Sequence, residues 1–252
     1  MSYRTAVVSA LSIASAALAG PSVFHNIQDN GYFTPFNSST SSSIRYGDSG
    51  WFGSGADAPV GLEAITLGLV VTNSSHAGTT DINFTFNDGD PSHLVFGTGA
   101  VLYSTTIHNV QLPDTSDIGG PAFFSLTIAL PGVFTTGGFN NVGWSVGVSN
   151  FNSDGNLGFQ CSSAFGQTAG YYTNNASFYN GSSWSLFSFG SGAYGVANFV
   201  ADITVPAPHT FTIGLAKEVA IEGIRVNAVR PGLIDTDIHA ASGEPGRIAR
   251  LK

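Results

Sequence analysis

Along most of this chain the apolar positions come in short runs, and where they alternate they do so at every second residue. Asp81–Phe86 is the clearest case. Ile82, Phe84 and Phe86 fall on one side and Asp81, Asn83 and Thr85 on the other, the period of a strand with one face in a core and one in solvent. Comparable runs occupy Ala64–Thr72, Ala100–Gln111, Ala122–Leu130, Val142–Val148, Ser183–Phe189 and Val196–Val205, each rich in β-branched and aromatic residues. Between them lie segments such as Asn87-Asp88-Gly89-Asp90-Pro91 and Asn152-Ser153-Asp154-Gly155, whose residues favour turns. The Ser/Thr tract Ser38–Ser43 reads as a loop. Strands at this spacing predict an all-β domain, an antiparallel jelly-roll-like sandwich over residues 20–205.

Both ends break the pattern. Arg4 precedes an uncharged, mostly apolar run from Thr5 to Ala19, and Ala17-Leu18-Ala19 fits the small-x-small rule for cleavage before Gly20. Residues 1–19 are therefore expected to be a secretory signal peptide. After His209 the period becomes helical: Phe211, Leu215, Val219 and Ala220 recur on one side, Lys217 and Glu218 on the other, and Gly223 supplies a stop. A strand-like Ile224–Val229 and a Pro231-Gly232 turn follow. The tail, residues 206–252, reads as a helix–strand appendage too small to bury a core alone.

Charge marks the same boundary. From Thr5 to Ala207 the only Lys or Arg is Arg45, against 11 acidic residues, whereas His209–Lys252 holds 6 basic and 5 acidic ones. With a formal net charge of −8 and no basic surface to neutralise phosphates, nucleic acid is excluded as an expected partner. Cys161 is alone, so neither an intrachain disulfide nor a cysteine-based zinc site can form, and it reads as a small buried hydrophobe.

Several side chains have candidate chemistry beside a plainer reading. Asp88 and Asp90 are hard oxygen donors suited to Ca²⁺, as are Asn152, Asp154 and Asn156 at alternate positions, but both sets lack a closing Glu and read better as turn residues. Trp51, Trp144 and Trp184, with Tyr171 and Tyr172, offer stacking faces for sugars or fill core and rim. His25, His76, His93 and His108 are scattered without metal spacing and read as surface or turn residues. No Ser/His/Asp signature appears, and Gly190-Ser191-Gly192 sits in a Gly-rich turn rather than at a strand-to-helix elbow.

Two resemblances follow the seam. The signal-peptide pattern, the Gly/Asn/Phe-rich β domain and the phrase Ala201-Asp202-Ile203-Thr204-Val205-Pro206-Ala207-Pro208 resemble exported PEP-CTERM proteins of bacteria, in the variant that reads Val-Pro-Ala-Pro. In that family an apolar membrane helix and an Arg cluster come next. Here residues 209–228 carry Lys217, Glu218, Glu222 and Arg225, each costly at a bilayer centre, so no transmembrane anchor is expected. Residues 210–252 instead resemble the C-terminal part of the NAD(P)-dependent short-chain dehydrogenase/reductase family, on the phrase Gly223-Ile224-Arg225-Val226-Asn227-Ala228-Val229-Arg230-Pro231-Gly232-Leu233-Ile234-Asp235-Thr236. That resemblance implies that Ile234 and Thr236 would border a nicotinamide.

The remainder of such an enzyme is missing from the sequence. No strand–TGxxxG–helix precedes the tail, and the family's Tyr and Lys would fall near Ala201 and Val205; Tyr194 is followed four residues later by Asn198 instead of Lys. The chain thus reads as a chimera: an exported, non-catalytic structural or binding protein of the bacterial cell surface or matrix with an inactive dehydrogenase-like tail. No catalytic, cofactor-binding or metal residues and no cofactor are expected. Extracellular polysaccharide stays open as a partner, and an NAD(P)-dependent short-chain oxidoreductase is the alternative.

Overall fold

The computed structural model describes residues 20–36, 43–173, 175–188 and 197–206. The expected signal peptide, the Ser/Thr tract except Ser43, and the helix–strand tail beyond Pro206 lie outside the described residues, as does Tyr194. In chain order the strands are β1 (Ser22–Asn26), β2 (Asp29–Phe36), β3 (Arg45–Trp51), β4 (Ala64–Thr72), β5 (Gly78–Gly89), β6 (Gly97–Leu112) and β7 (Ala122–Ala129). They continue as β8 (Asn141–Asn152), β9 (Asn156–Ser162), β10 (Tyr171–Tyr172), β11 (Ala176–Tyr179), β12 (Trp184–Phe187) and β13 (Ala201–Thr204), with one 3₁₀ turn at Ala164–Gly166. All belong to one compact unit containing Pro21–Val205.

Every pairing is antiparallel, in two sheets. The first is organised by β4: β7 runs along one side of it, while β13 and then β9 take successive stretches of the other, Ala64–Leu67 and Leu69–Thr72. Strands β1 and β2 extend the sheet beyond β13 and β9. The second sheet runs β12-β11-β3-β8-β5-β6, with β10 also pairing β3. The described residues therefore form an all-β antiparallel sandwich, as their runs predict.

Alternation explains the core between the sheets. Ile65, Leu67, Leu69 and Val71 of β4 and Leu157 and Phe159 of β9 face Ile82, Phe84 and Phe86 of β5 and Val142, Trp144, Val146 and Val148 of β8. Phe24 of β1 meets Trp144 edge-on at 5.7 Å and Tyr172 at 4.7 Å, which locks the sheets where the chain enters the fold.

Two features depart from the sequence pattern. Asn87-Asp88-Gly89 is not a turn but the end of β5, carried there by register shifts against β6 and by the positive φ of Gly89, paired with Gly97. Strands β1, β2, β3, β9, β10 and β11 lie outside the apolar runs: Gly, Asp or Asn falls within the first four, β10 and β11 are only two and four residues long, and neighbouring strands complete their ladders. Strand β6 forms one edge of its sheet. It has no Asp, Glu, Lys or Arg along 16 residues, and its pairing with β5 shifts register three times.

Candidate functional site

The outer face of the second sheet holds the exposed chemistry. Along β3, Tyr46, Asp48 and Gly50 point inward, so Arg45 and Trp51 at the strand's two ends point outward. At the far end Tyr171 pairs with Trp51, and a Cβ on Gly50 would collide with the Tyr171 carbonyl, so only glycine admits this approach. The Trp51 and Tyr171 rings stack at 5.7 Å and 25°, and Phe96, from the β5–β6 connection, leans on Trp51 at 5.3 Å. Tyr171 is 61% exposed. A second pair, Tyr179 and Trp184, sits across the β11–β12 hairpin at 5.2 Å. Of the aromatic residues singled out in the sequence, Trp144 and Tyr172 are instead buried in the core.

Arg45 lies half-buried over β8. Its Nε donates to Ser145 Oγ at 3.0 Å, and Nη2 reaches the Ser145 carbonyl at 3.1 Å, the Asn83 carbonyl at 3.1 Å and Thr85 Oγ1 at 3.2 Å. Burial lowers its pKa from the ordinary value, but a guanidinium stays charged throughout the physiological range. No carboxylate among the described residues pairs with it.

The carboxylates read from the sequence as turn groups or calcium ligands serve as loop anchors. Asp90, 1% exposed, accepts Ser92, Leu94 and Val95 amides and the hydroxyls of Ser92 and Ser177, which ties the β5–β6 connection onto β11. Asp88 accepts Thr98 Oγ1 at 2.7 Å and Thr136 Oγ1 at 2.9 Å. Asp154, in the β8–β9 turn, binds Ser74 and Ser75 of the β4–β5 connection, chiefly the Ser75 hydroxyl, which holds its pKa down at about 2; Asn152 and Asn156 sit in the flanking strands. Among the described residues no group of three or more His, Cys, Asp or Glu is placed to hold a metal ion.

Three of the four singled-out histidines have carboxylate partners that their scattered spacing concealed. His25 Nδ1 lies 2.9 Å from Asp202, His108 Nδ1 2.9 Å from Asp81, and His76 Nδ1 3.4 Å from Asp154. Each pair joins residues on adjacent strands or turns, a relation only the topology supplies. His93, with φ of 61°, occupies the turn after Asp90.

The most perturbed groups are sealed away. Burial drives Asp48 and Tyr172 well above their usual pKa values and pushes the Cys161 thiol up to about 12, where it is no nucleophile. A cleft of about 500 Å³ between β2, the end of β4 and the β6–β7 connection is lined by Phe33, Thr72, Ser74, Thr115 and Pro121 among others, with no titratable side chain. Ala201, where the dehydrogenase resemblance would place a tyrosine, is buried in β13 beside Leu67. Among the described residues no helix is long and apolar enough to cross a membrane.

Comparison with known proteins finds similarity over a short segment. The chain is 63% identical over 43 residues to an uncharacterized oxidoreductase, YgfF of Escherichia coli, covering 17% of each chain. It is 62% identical over 32 residues to another, YmfI of Bacillus subtilis, covering 13% of each. The chain thus spans about a sixth of the first relative's length and about an eighth of the second's. No family model matches. No solved structure matches either. A segment of this chain resembles an oxidoreductase.

Proposed function

We propose that the chain is an exported, non-catalytic binding protein of the bacterial cell surface or extracellular matrix, and that its sandwich takes polysaccharide on the outer face of the second sheet. The observation that carries this reading is the stacked Trp51–Tyr171 pair, extended by Phe96: flat apolar rings held outward on a strand, the surface on which the C–H face of a sugar packs. The signal-peptide pattern of residues 1–19 and the Val205-Pro206-Ala207-Pro208 phrase, with its likeness to PEP-CTERM proteins, support export. Affinity electrophoresis of the full chain in gels containing neutral and acidic polysaccharides tests it. Retardation lost in Trp51→Ala/Tyr171→Ala supports the reading, and equal mobility in every gel overturns it.

The short likeness to oxidoreductases favours a second reading, an NAD(P)-dependent oxidoreductase. By its resemblance the dehydrogenase-like phrase around Pro231-Gly232 would supply only a few of the cofactor contacts that micromolar binding, roughly 8 kcal/mol, needs. Saturable enhancement of NADH fluorescence, lost in Thr236→Ala, would establish this reading in place of the first.

A further inference from the structure

Six residues on six strands of the second sheet form one row across its outer face: Trp184 (β12), Tyr179 (β11), Arg45 (β3), Gly147 (β8), Asn83 (β5) and Thr106 (β6). Each is the cross-strand partner of the next. At about 4.8 Å per strand the row is about 24 Å long. That step is close to the length of one pyranose unit in an extended chain. Its chemistry changes in order along the way, from two aromatic rings through a guanidinium, whose stem covers the buried Gly147, to an amide and a hydroxyl. Thr106 Oγ1 donates to Asn83 Oδ1 at 3.0 Å, and Asn83 Nδ2 donates to Ser149 at 2.9 Å, so the polar end is oriented by its own hydrogen bonds.

The next row over is covered. Asp90 holds Ser177, and Pro91 lies against Gly47, so the β5–β6 connection borders the track on one side. Arg45 sits half-buried in the row with Nε and Nη2 committed to the sheet, but Nη1 has no acceptor among the described residues and the side chain has no counter-ion there. A half-buried cation in that state favours an arriving anion, because part of its desolvation is already complete. The row also runs across the strands, so its occupant cannot extend a β-ladder. A peptide strand would add at a sheet edge instead. Nucleic acid would need several cations where this face offers Arg45 alone.

We propose that this row is a track for an acidic polysaccharide, with a uronate carboxylate on Arg45 and a neighbouring ring on Tyr179 and Trp184. The proposal rests on the polysaccharide-binding reading above and adds to it a separate contact region on the same sheet face, at the opposite end of β3 from Trp51 and Tyr171, for one glycan class. The protein's net charge of −8 repels a polyanion at long range, so the test is made at physiological salt, where charges beyond about 8 Å are screened.

Binding of the full chain to polygalacturonate, dextran and poly-glutamate is measured by calorimetry. The expected result is polygalacturonate binding at least about tenfold tighter than either competitor, lost by about tenfold or more in Arg45→Gln. If Arg45→Gln does not fold, Trp184→Ala on the edge strand provides the second arm, with a similar loss expected and no loss counting against the track. Equal affinity for polygalacturonate and dextran overturns the acidic specificity but leaves the polysaccharide reading standing. Poly-glutamate binding as tightly as polygalacturonate overturns the sugar track, and binding of neither glycan overturns both readings.

Discussion

The carboxylate of Asp48 accepts the backbone N–H of Phe199 at 2.8 Å, so a side chain of the second sheet holds the main chain that leads into β13 of the first. The Tyr172 hydroxyl takes the carbonyl of the same residue, and Asp48 also accepts the Ser49 N–H at 2.8 Å. Burial dominates and drives the Asp48 pKa well above 3.8, opposed by the two amides and reinforced by Asp90. The folded protein therefore retains this proton to higher pH than the unfolded chain does. Its contribution to stability is fully present below about pH 4 and is lost as pH rises through the folded pKa. Paired melts of the protein and Asp48→Asn between about pH 4 and 8 should show the parent's relative Tm declining toward the alkaline end. A pH-independent difference would contradict this.

Asp81 behaves in the opposite sense. The Asn109 amide, then His108 and Asn150, hold its pKa at about 2, below the ordinary 3.8. Its contribution is present above about pH 4 and is lost as pH falls toward 2. Removing the titrating group with Asp81→Asn should flatten the acid limb of the Tm profile in that window while leaving its slope above pH 5 unchanged. An acid limb as steep as the parent's would refute it.

Trp144 is fully buried, and its Nε1 has no hydrogen-bond partner among the described residues. Trp144→Ala opens a cavity and should cost about 3–5 kcal/mol, a fall of roughly 6–20 °C in Tm at this size. Trp144→Phe fills most of the space and removes an unsatisfied donor, so its cost should be smaller by at least about 2 kcal/mol. Chemical denaturation of both variants tests the order.

Gly143 and Gly120 should respond to alanine with opposite signs. A Cβ on Gly143 would collide with the Gly89 carbonyl, forcing β5 and β8 apart beneath the β5–β6 connection, at a cost of at least about 2 kcal/mol. Gly120 has nothing within 4 Å of its added Cβ and no positive φ, so alanine there should be neutral or stabilising by up to about 1 kcal/mol. Equal destabilisation by the two would show that the close approach at Gly143 is dispensable.

The sandwich was legible wherever β-branched and aromatic residues made a core face visible. β4 runs from Ala64 to Thr72, as its apolar run indicates, because it pairs on both sides and is buried. β3, Arg45-Tyr46-Gly47-Asp48-Ser49-Gly50-Trp51, escaped notice because its inward positions include Asp48 and Gly50, residues that earn their places only against Phe199 and Tyr171. The candidate binding face was legible as residue types alone. Trp51 and Tyr171 are 120 positions apart, and nothing local distinguishes them from Trp144 and Tyr172, which went to the core. Arg45 stood out by charge, but the row it occupies depends on five cross-strand registers that no single segment encodes.

The register shifts between β5 and β6 also matter to the crowd around the molecule. An edge of 16 residues without Asp, Glu, Lys or Arg is an invitation to a neighbouring chain, since no row of like charges stands guard along it. Yet the strand changes phase at Thr80/Ile82, at Phe86/Asn87 and again at Asn87/Gly89, and Asn109 turns through a φ of 56°. A newcomer that falls into step with one stretch is out of step at the next, so the edge stays open at high concentration without becoming a seed.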